Sequence, residues 1–172
     1  MAFYCDYLAQ QEQSATNMLG AILKQLVSRG WVPDHISEAF QKAKNELAGR
    51  PLRLSDMVYL LNDTIKSLPR VFICIDALDE CKVNYRRELL ESLREIVARS
   101  PNIRVFLTAR PIIEEEIVRY FIQLVRIPLS PTDADIKSYL KRRLACDTDP
   151  DAMDGGLWAD IMRIIPEKIS ER

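Results

Sequence analysis

Apolar residues recur at helical spacing through much of the first seventy positions and then change to continuous runs. At the start, Ala-Phe-Tyr-Cys-Asp-Tyr (residues 2–7) is short and aromatic-rich, which predicts a strand. From Ser14, the positions Ala15, Met18, Leu19, Ile22, Leu23, Leu26 and Val27 define one helix face, with Gly30 placed where a C-cap wants a residue tolerant of positive φ. Asp34 is placed to cap a second helix carrying Ile36, Phe40, Ala43 and Leu47, closed near Gly49 and Pro51. Ser55 is placed to cap a third, with Val58, Leu61 and Ile65 on one face and Pro69 closing it.

Val71 to Ile75 is an unbroken apolar run, which predicts a strand covered on both faces in a parallel sheet. A helix follows, with Leu89, Leu90, Leu93, Ile96 and Val97 as its buried stripe. A second run, Ile103 to Leu107, is broken only by Arg104, and Pro111 suits the first turn of a short helix. Ile122 to Ile127 reads as a further strand, and Thr132 with Asp135 as a capping box ahead of Ile136, Tyr139, Leu140 and Leu144. Cys146 to Gly156, rich in aspartate, is the linker candidate, before a last helix around Trp158 to Ile165. Strands alternating with helices specify an α/β fold, a parallel sheet flanked by helices with a short C-terminal helical segment.

Composition narrows the function. The 172 residues are 48% hydrophobic and 28% charged, a globular balance close to one ordinary domain. Lys plus Arg (24) nearly cancels Asp plus Glu (25), so net charge gives no reason to expect nucleic-acid or anionic-membrane binding. No apolar run approaches the ~20 residues that cross a bilayer, and the N-terminus lacks the pattern of a signal peptide. Cys5, Cys74, Cys81 and Cys146 have no CxxC spacing, which argues against a zinc site or a disulfide framework and for a reducing, cytoplasmic setting. Cys74 is expected in the core, and Cys81 nearer the surface.

The strongest chemical signal is Val71-Phe-Ile-Cys-Ile-Asp76-Ala-Leu-Asp79-Glu80. A hydrophobic strand ending in carboxylates places them at the C-terminal edge of a parallel sheet, where open α/β sheets bind ligands. Mg²⁺ takes oxygen ligands and is often held by one or two carboxylates plus substrate phosphates. Asp76 would then hold the metal, while Asp79 or Glu80 polarises water. The alternative is an ordinary acidic turn. The second run ends in Thr108-Ala-Arg110, and an arginine at the equivalent edge would meet a terminal phosphate.

These residues resemble a known family. FICIDALDEC (72–81) looks like the Walker B segment of NACHT-type P-loop NTPases of the STAND class, and LTARP (107–111) like their sensor 1 motif. The resemblance is greatest to the nephrocystin-like N-terminal domains of fungal NOD-like receptor proteins, with support from FYCDY (3–7), SATNMLGAILKQL, GRPLRLSDMVYLLNDTI and DADIKSYLKRRL. It implies an ASCE-type P-loop sheet over residues 1–130 (Walker B 71–80, sensor 1 104–111) and the start of a helical segment over 131–172. It further implies Mg²⁺ held at Asp76, ATP or GTP as nucleotide, Asp79 and Glu80 as catalytic carboxylates, Arg110 as phosphate sensor and Thr108 as its helper. Other protein domains, or a second copy, would be the partners.

The same resemblance implies a GxxxxGK[ST] loop on a strand and helix ahead of FYCDY, and this sequence contains none. That absent strand would lie between 103–108 and 122–127. The chain is therefore expected to be a fragment or a degenerate relative with an incomplete P-loop fold, impaired in nucleotide binding. A nucleotide-independent interaction domain derived from that fold is the rival reading.

Weaker signals are set aside. Asp147-x-Asp149-x-Asp151 opens like a calcium loop, but Ala152 and Trp158 stand where that loop needs glycine and glutamate. His35, the one histidine, has no nucleophile at a matching motif and reads as a surface or cap residue. Lys141-Arg142-Arg143 and Glu114-Glu115-Glu116 read as solvated faces.

Overall fold

The computed structural model describes residues 1–28, 32–46, 52–146 and 154–170, so Gly30, Leu47, Gly49, Pro51 and the aspartates at 147–151 lie outside the described residues. The described chain is α/β, with three parallel strands and seven α-helices. It forms two compact units, Met1–Leu124 and Val125–Arg172.

In the first unit the sheet runs in the order β1 (Ala2–Tyr4), β2 (Val71–Asp76), β3 (Ile103–Leu107), all parallel. Around it stand α1 (Ala15–Val27), α2 (Asp34–Glu46), α3 (Leu54–Lys66), α4 (Val83–Arg99) and α5 (Glu114–Tyr120). Ser14 caps α1 as its side chain accepts from Asn17 N at 3.2 Å. Ala15, Met18, Leu19, Ile22 and Leu23 are buried along the predicted face. Leu89, Leu90, Leu93 and Ile96 of α4 are buried as expected, while Val97 is partly exposed. In α2, Ile36 and Ala43 are buried, whereas Phe40 is half-exposed.

Two element boundaries depart from the sequence reading, and so does one strand pairing. The first strand stops at Tyr4, because Asp6 turns the chain by accepting from Leu8 N at 2.8 Å and starts a 3-10 turn over Tyr7–Ala9. Helix α3 begins before Ser55: its N-cap position is Arg53, whose N–H donates to the Asp56 carboxylate at 3.1 Å. Its other end is closed from a distance, where Asn102 Nδ2 donates to the carbonyls of Ile65 (2.8 Å) and Leu68 (2.6 Å).

The third departure concerns pairing. Residues 122–127 form no strand, so β3 is an edge strand among the described residues. A strand is stabilised by hydrogen bonds to a neighbour, and apolar β-prone sequence alone does not supply one. At the opposite edge, the Gln25 amide of α1 satisfies β1: Ala2 N donates to Oε1 (2.9 Å), and Nε2 donates to the Ala2 carbonyl (2.8 Å).

The expectation that the central strand is covered on both faces is also corrected. Val71, Ile73 and Ile75 are buried in the core with α1, α3 and α4, but Phe72 on the opposite face is 48% exposed. Phe106 of β3, on the same open face, is 53% exposed, and its ring centroid lies 6.2 Å from that of Phe72. The helices cover one side of the sheet, so the alternation hidden in an all-apolar run becomes an inside and an outside. Cys74 lies on the open side and is half-buried rather than enclosed.

The second unit holds α6 (Asp133–Ala145) and α7 (Gly155–Ser170), packed on each other. The capping box forms as expected: Thr132 accepts from Asp135 N at 3.2 Å, and the Asp135 carboxylate accepts from Thr132 N at 2.9 Å. Ile136 and Leu140 are buried, and Lys141, Arg142 and Arg143 are exposed. No helix among the described residues is long and apolar enough to cross a membrane.

Candidate functional site at the ends of β2 and β3

Parallel pairing of β2 with β3 brings both acidic and basic candidates to the same, C-terminal, end of the sheet. The Thr108 hydroxyl donates to Asp76 Oδ1 and accepts from Ala77 N at 2.9 Å. Thr108 also continues the ladder, its N–H donating to the Ile75 carbonyl (3.0 Å) and its carbonyl accepting from Leu78 N (2.9 Å). Between the carboxylates, Ala77 adopts the left-handed region (φ 53°, ψ 44°), which a residue with a Cβ rarely does. This turn directs the chain into the 3-10 segment Leu78–Glu80, with Leu78 buried beneath it.

Asp79 and Arg110 face each other directly. Arg110 donates to Asp79 twice, from its backbone N to Oδ1 (3.0 Å) and from Nε to Oδ2 (2.5 Å). The Asp79 side chain is 5% exposed and that of Arg110 74% exposed, so the guanidinium covers the carboxylate and keeps its own face to solvent. Burial opposes ionisation of Asp79, but the side-chain and backbone hydrogen bonds from Arg110, with its charge, together hold the carboxyl below the usual range.

A pH dependence follows from this depression. A carboxyl depressed in the folded state adds stability above its unfolded pKa of about 3.9, and loses it as pH falls through the folded value. Stability of the wild type is therefore expected to fall more steeply below about pH 4 than that of Asp79→Asn. Urea midpoints measured across that range would show equal slopes if Asp79 were not engaged.

Glu80 points elsewhere. Its Oε2 accepts from Tyr7 N at 3.1 Å, and its carbonyl accepts from Gln10 Nε2 at 2.6 Å, which ties the acidic turn to the segment after β1. Asp76, Asp79, Thr108 and Arg110 thus form one linked cluster, with Glu80 engaged on its flank. No group of three or more His, Cys, Asp or Glu suited to holding a metal occurs among the described residues. A hard cation held by one or two carboxylates takes its remaining oxygen ligands from water or a bound molecule.

Several neighbours of this cluster have no signal in sequence spacing. Arg86 of α4 is almost buried; it donates to Glu116 Oε2 through Nε (3.0 Å) and Nη2 (2.7 Å), and to the Cys81 carbonyl through Nη1 (3.1 Å). Glu116 is accordingly not part of a solvated acidic face. Cys81, expected near the surface, is buried, with Sγ 3.0 Å from Cys5 Sγ. The hydrogen bond with Cys81, then burial, pushes the Cys5 thiol up. The hydrogen bond with Cys5, against burial and with help from the Arg86 charge, holds the Cys81 thiol below its ordinary value. His35 is half-exposed and 3.3 Å from Asp63 of α3, a surface pairing.

A cavity of about 830 Å³ lies away from the strand ends, lined by residues of α1, α2 and α3 that include Leu23, Val27, Ile36, Phe40 and Met57. Its lining is mostly apolar, with Lys24 and Lys44 the charged residues among the described ones.

Comparison with curated proteins and with solved structures found no match. A family profile described as nephrocystin 3, N-terminal, matches residues 1–110, a span that contains all three strands and every residue of the cluster. On that match, the chain belongs to the nephrocystin 3 N-terminal family.

Proposed function

We propose that the ends of β2 and β3 are the metal and γ-phosphate side of a NACHT-like, P-loop-type nucleotide site, in a domain that acts as a signalling switch. The observation that carries this reading is the convergence of Asp76 and Thr108 with Asp79 and Arg110 at one end of the sheet. Asp76 would hold Mg²⁺, directly or through water, and Thr108 would orient its carboxylate. Bound there, Mg²⁺ would neutralise phosphate charge. Arg110, three-quarters exposed, would leave Asp79 for a terminal phosphate and stabilise the charge developing on it. Without nucleotide, Arg110 occupies both oxygens of Asp79 and Glu80 is engaged through one; once Arg110 has turned to the phosphate, Asp79 or Glu80 would activate water.

The phosphate cradle and its lysine are not supplied by these residues, since the sequence carries no GxxxxGK[ST]. The chain by itself is therefore expected to bind Mg-ATP or Mg-GTP more weakly than about 1 mM, less than roughly 4 kcal/mol of binding free energy. Isothermal titration checks this, and micromolar affinity would contradict it. Preceded by a strand and helix bearing GxxxxGK[ST], it is expected to hydrolyse nucleotide with Mg²⁺, and Asp76→Ala should abolish that turnover. Unchanged turnover would remove the role given to Asp76.

One observation favours a second reading, a nucleotide-independent interaction domain. Tyr4, Phe72 and Phe106 are exposed on the uncovered part of the sheet, and such apolar surface suits contact with another protein domain or a second copy. In the first reading the partners would be nucleotide and other protein domains, in the second protein domains or a second copy alone, in the cytoplasm and without nucleic acid or membrane.

A further inference from the structure

The two buried cysteines next to the acidic turn arrive from adjacent strands. Cys5 follows β1, and its N–H donates to the Asp76 carbonyl at 3.0 Å. Cys81 follows the 3-10 turn after β2; its N–H donates to the Leu78 carbonyl (3.2 Å), and its own carbonyl accepts from Arg86. Both backbones are therefore held by hydrogen bonds. The two sulfurs meet at 3.0 Å, with Met18 Sδ at 3.8 Å from Cys81 Sγ. A disulfide needs about 2.05 Å, so closure asks for roughly 1 Å of side-chain movement. The sulfurs are closer than two thiolates sharing a metal would stand at Zn–S bonds of about 2.3 Å in tetrahedral geometry, which argues against metal capture.

We propose that Cys5 and Cys81 are the site of a reversible intramolecular disulfide that ties the acidic turn Leu78–Glu80 to the end of β1. The oxidant class is a peroxide. One thiol of the pair is oxidised to a sulfenic acid, breaking the peroxide O–O bond and releasing water; the other sulfur displaces the sulfenic hydroxyl, forming the S–S bond and a second water. Two electrons pass from the two sulfurs to one hydrogen peroxide, and a dithiol reductant returns both thiols.

Access is through the segment between the two elements. Both thiols are buried (6% and 3% exposed), and Gln13 at the end of the segment Asp6–Gln13 reaches to 4.0 Å from Cys81 Sγ. That segment carries the exposed Tyr7 and Leu8 and is pinned by a few hydrogen bonds, among them Asp6 N to Gln13 Oε1 (3.2 Å) and Gln10 Nε2 to the Glu80 carbonyl. Its local opening admits a small oxidant without global unfolding. Cys74 lies on the open sheet face and Cys146 belongs to the other unit. The inference holds whether or not the strand ends bind a nucleotide.

The test uses the reduced full chain, treated with hydrogen peroxide under native conditions, alkylated and digested without reductant. Alkylatable thiols are expected to fall from four to two, with one cross-linked peptide joining Cys5 to Cys81 and full recovery with dithiothreitol. The oxidised form is expected to melt roughly 5–15 °C higher, because the bridge closes a loop of more than seventy residues. Cys5→Ser and Cys81→Ser should each abolish the cross-link; should either fail to fold, the wild-type peptide map decides alone. Four thiols persisting after peroxide, a bridge through Cys74 or Cys146, or sulfinic acids at Cys5 and Cys81 without a bridge would overturn the proposal. So would Zn²⁺ or Cu⁺ found bound stoichiometrically by the pair.

Discussion

Replacing Arg86 with alanine is expected to cost about 3–5 kcal/mol of unfolding free energy, the range for breaking one side of a buried ion pair. The guanidinium side chain is 7% exposed and makes three donations, two to Glu116 and one to the Cys81 carbonyl. Removing it leaves a largely buried carboxylate without a hydrogen bond, since Glu116 Oε1 already lacks one and the remaining ion pair, to Arg87 Nε, spans 3.8 Å from a mostly exposed side chain. It also frees the carbonyl that holds the end of the acidic turn. Urea denaturation measures the loss. The paired replacement Arg86→Met with Glu116→Leu is expected to recover most of it, because exchanging both charges for apolar groups removes the desolvation cost as well as the attraction. A single-variant loss below about 1 kcal/mol, the level of an exposed pair, would show that Arg86 is not buried against Glu116.

The second large effect separates neighbours on one strand. Ile73 is fully buried and Phe72 is half-exposed on the other side of the sheet. Ile73→Ala is expected to cost about 2–5 kcal/mol through lost burial and a cavity. Phe72→Ala removes a larger side chain, yet it should cost only about 1 kcal/mol, the worth of the aromatic pair with Phe106. Thermal or urea unfolding of the two variants checks the contrast. Comparable losses at both positions would mean that the open face is covered in solution.

That contrast between faces has no counterpart in the local sequence. The run Val71 to Ile75 predicts a strand correctly, but an unbroken apolar string has no alternation from which to tell one covered face from two. The same limit applied at 122–127, where residue type favours extended backbone and only a neighbouring strand makes it a strand. The depth of Cys81 is hidden in the sequence for a related reason. Proximity to a polar loop in sequence says nothing of depth when Leu78 and Cys81 turn inward beneath the acidic residues between them. The burial of Glu116 depends on Arg86, thirty positions earlier, and no local pattern encodes it.

By itself the sequence determined the periodic and local features. Helical faces follow from apolar spacing, Ser14 and Thr132 cap because their side-chain oxygens reach N–H groups three residues on, and Asp76 and Arg110 stand at strand ends because the runs before them stop there. Only the tertiary structure decided which strand ends meet, which carboxylate Arg110 engages, which face of the sheet stays open, and that two thiols 76 residues apart come to 3.0 Å. Those outcomes depend on pairing between segments distant in the chain, whose geometry is set by the parallel register of β1, β2 and β3, not by the residues flanking each position.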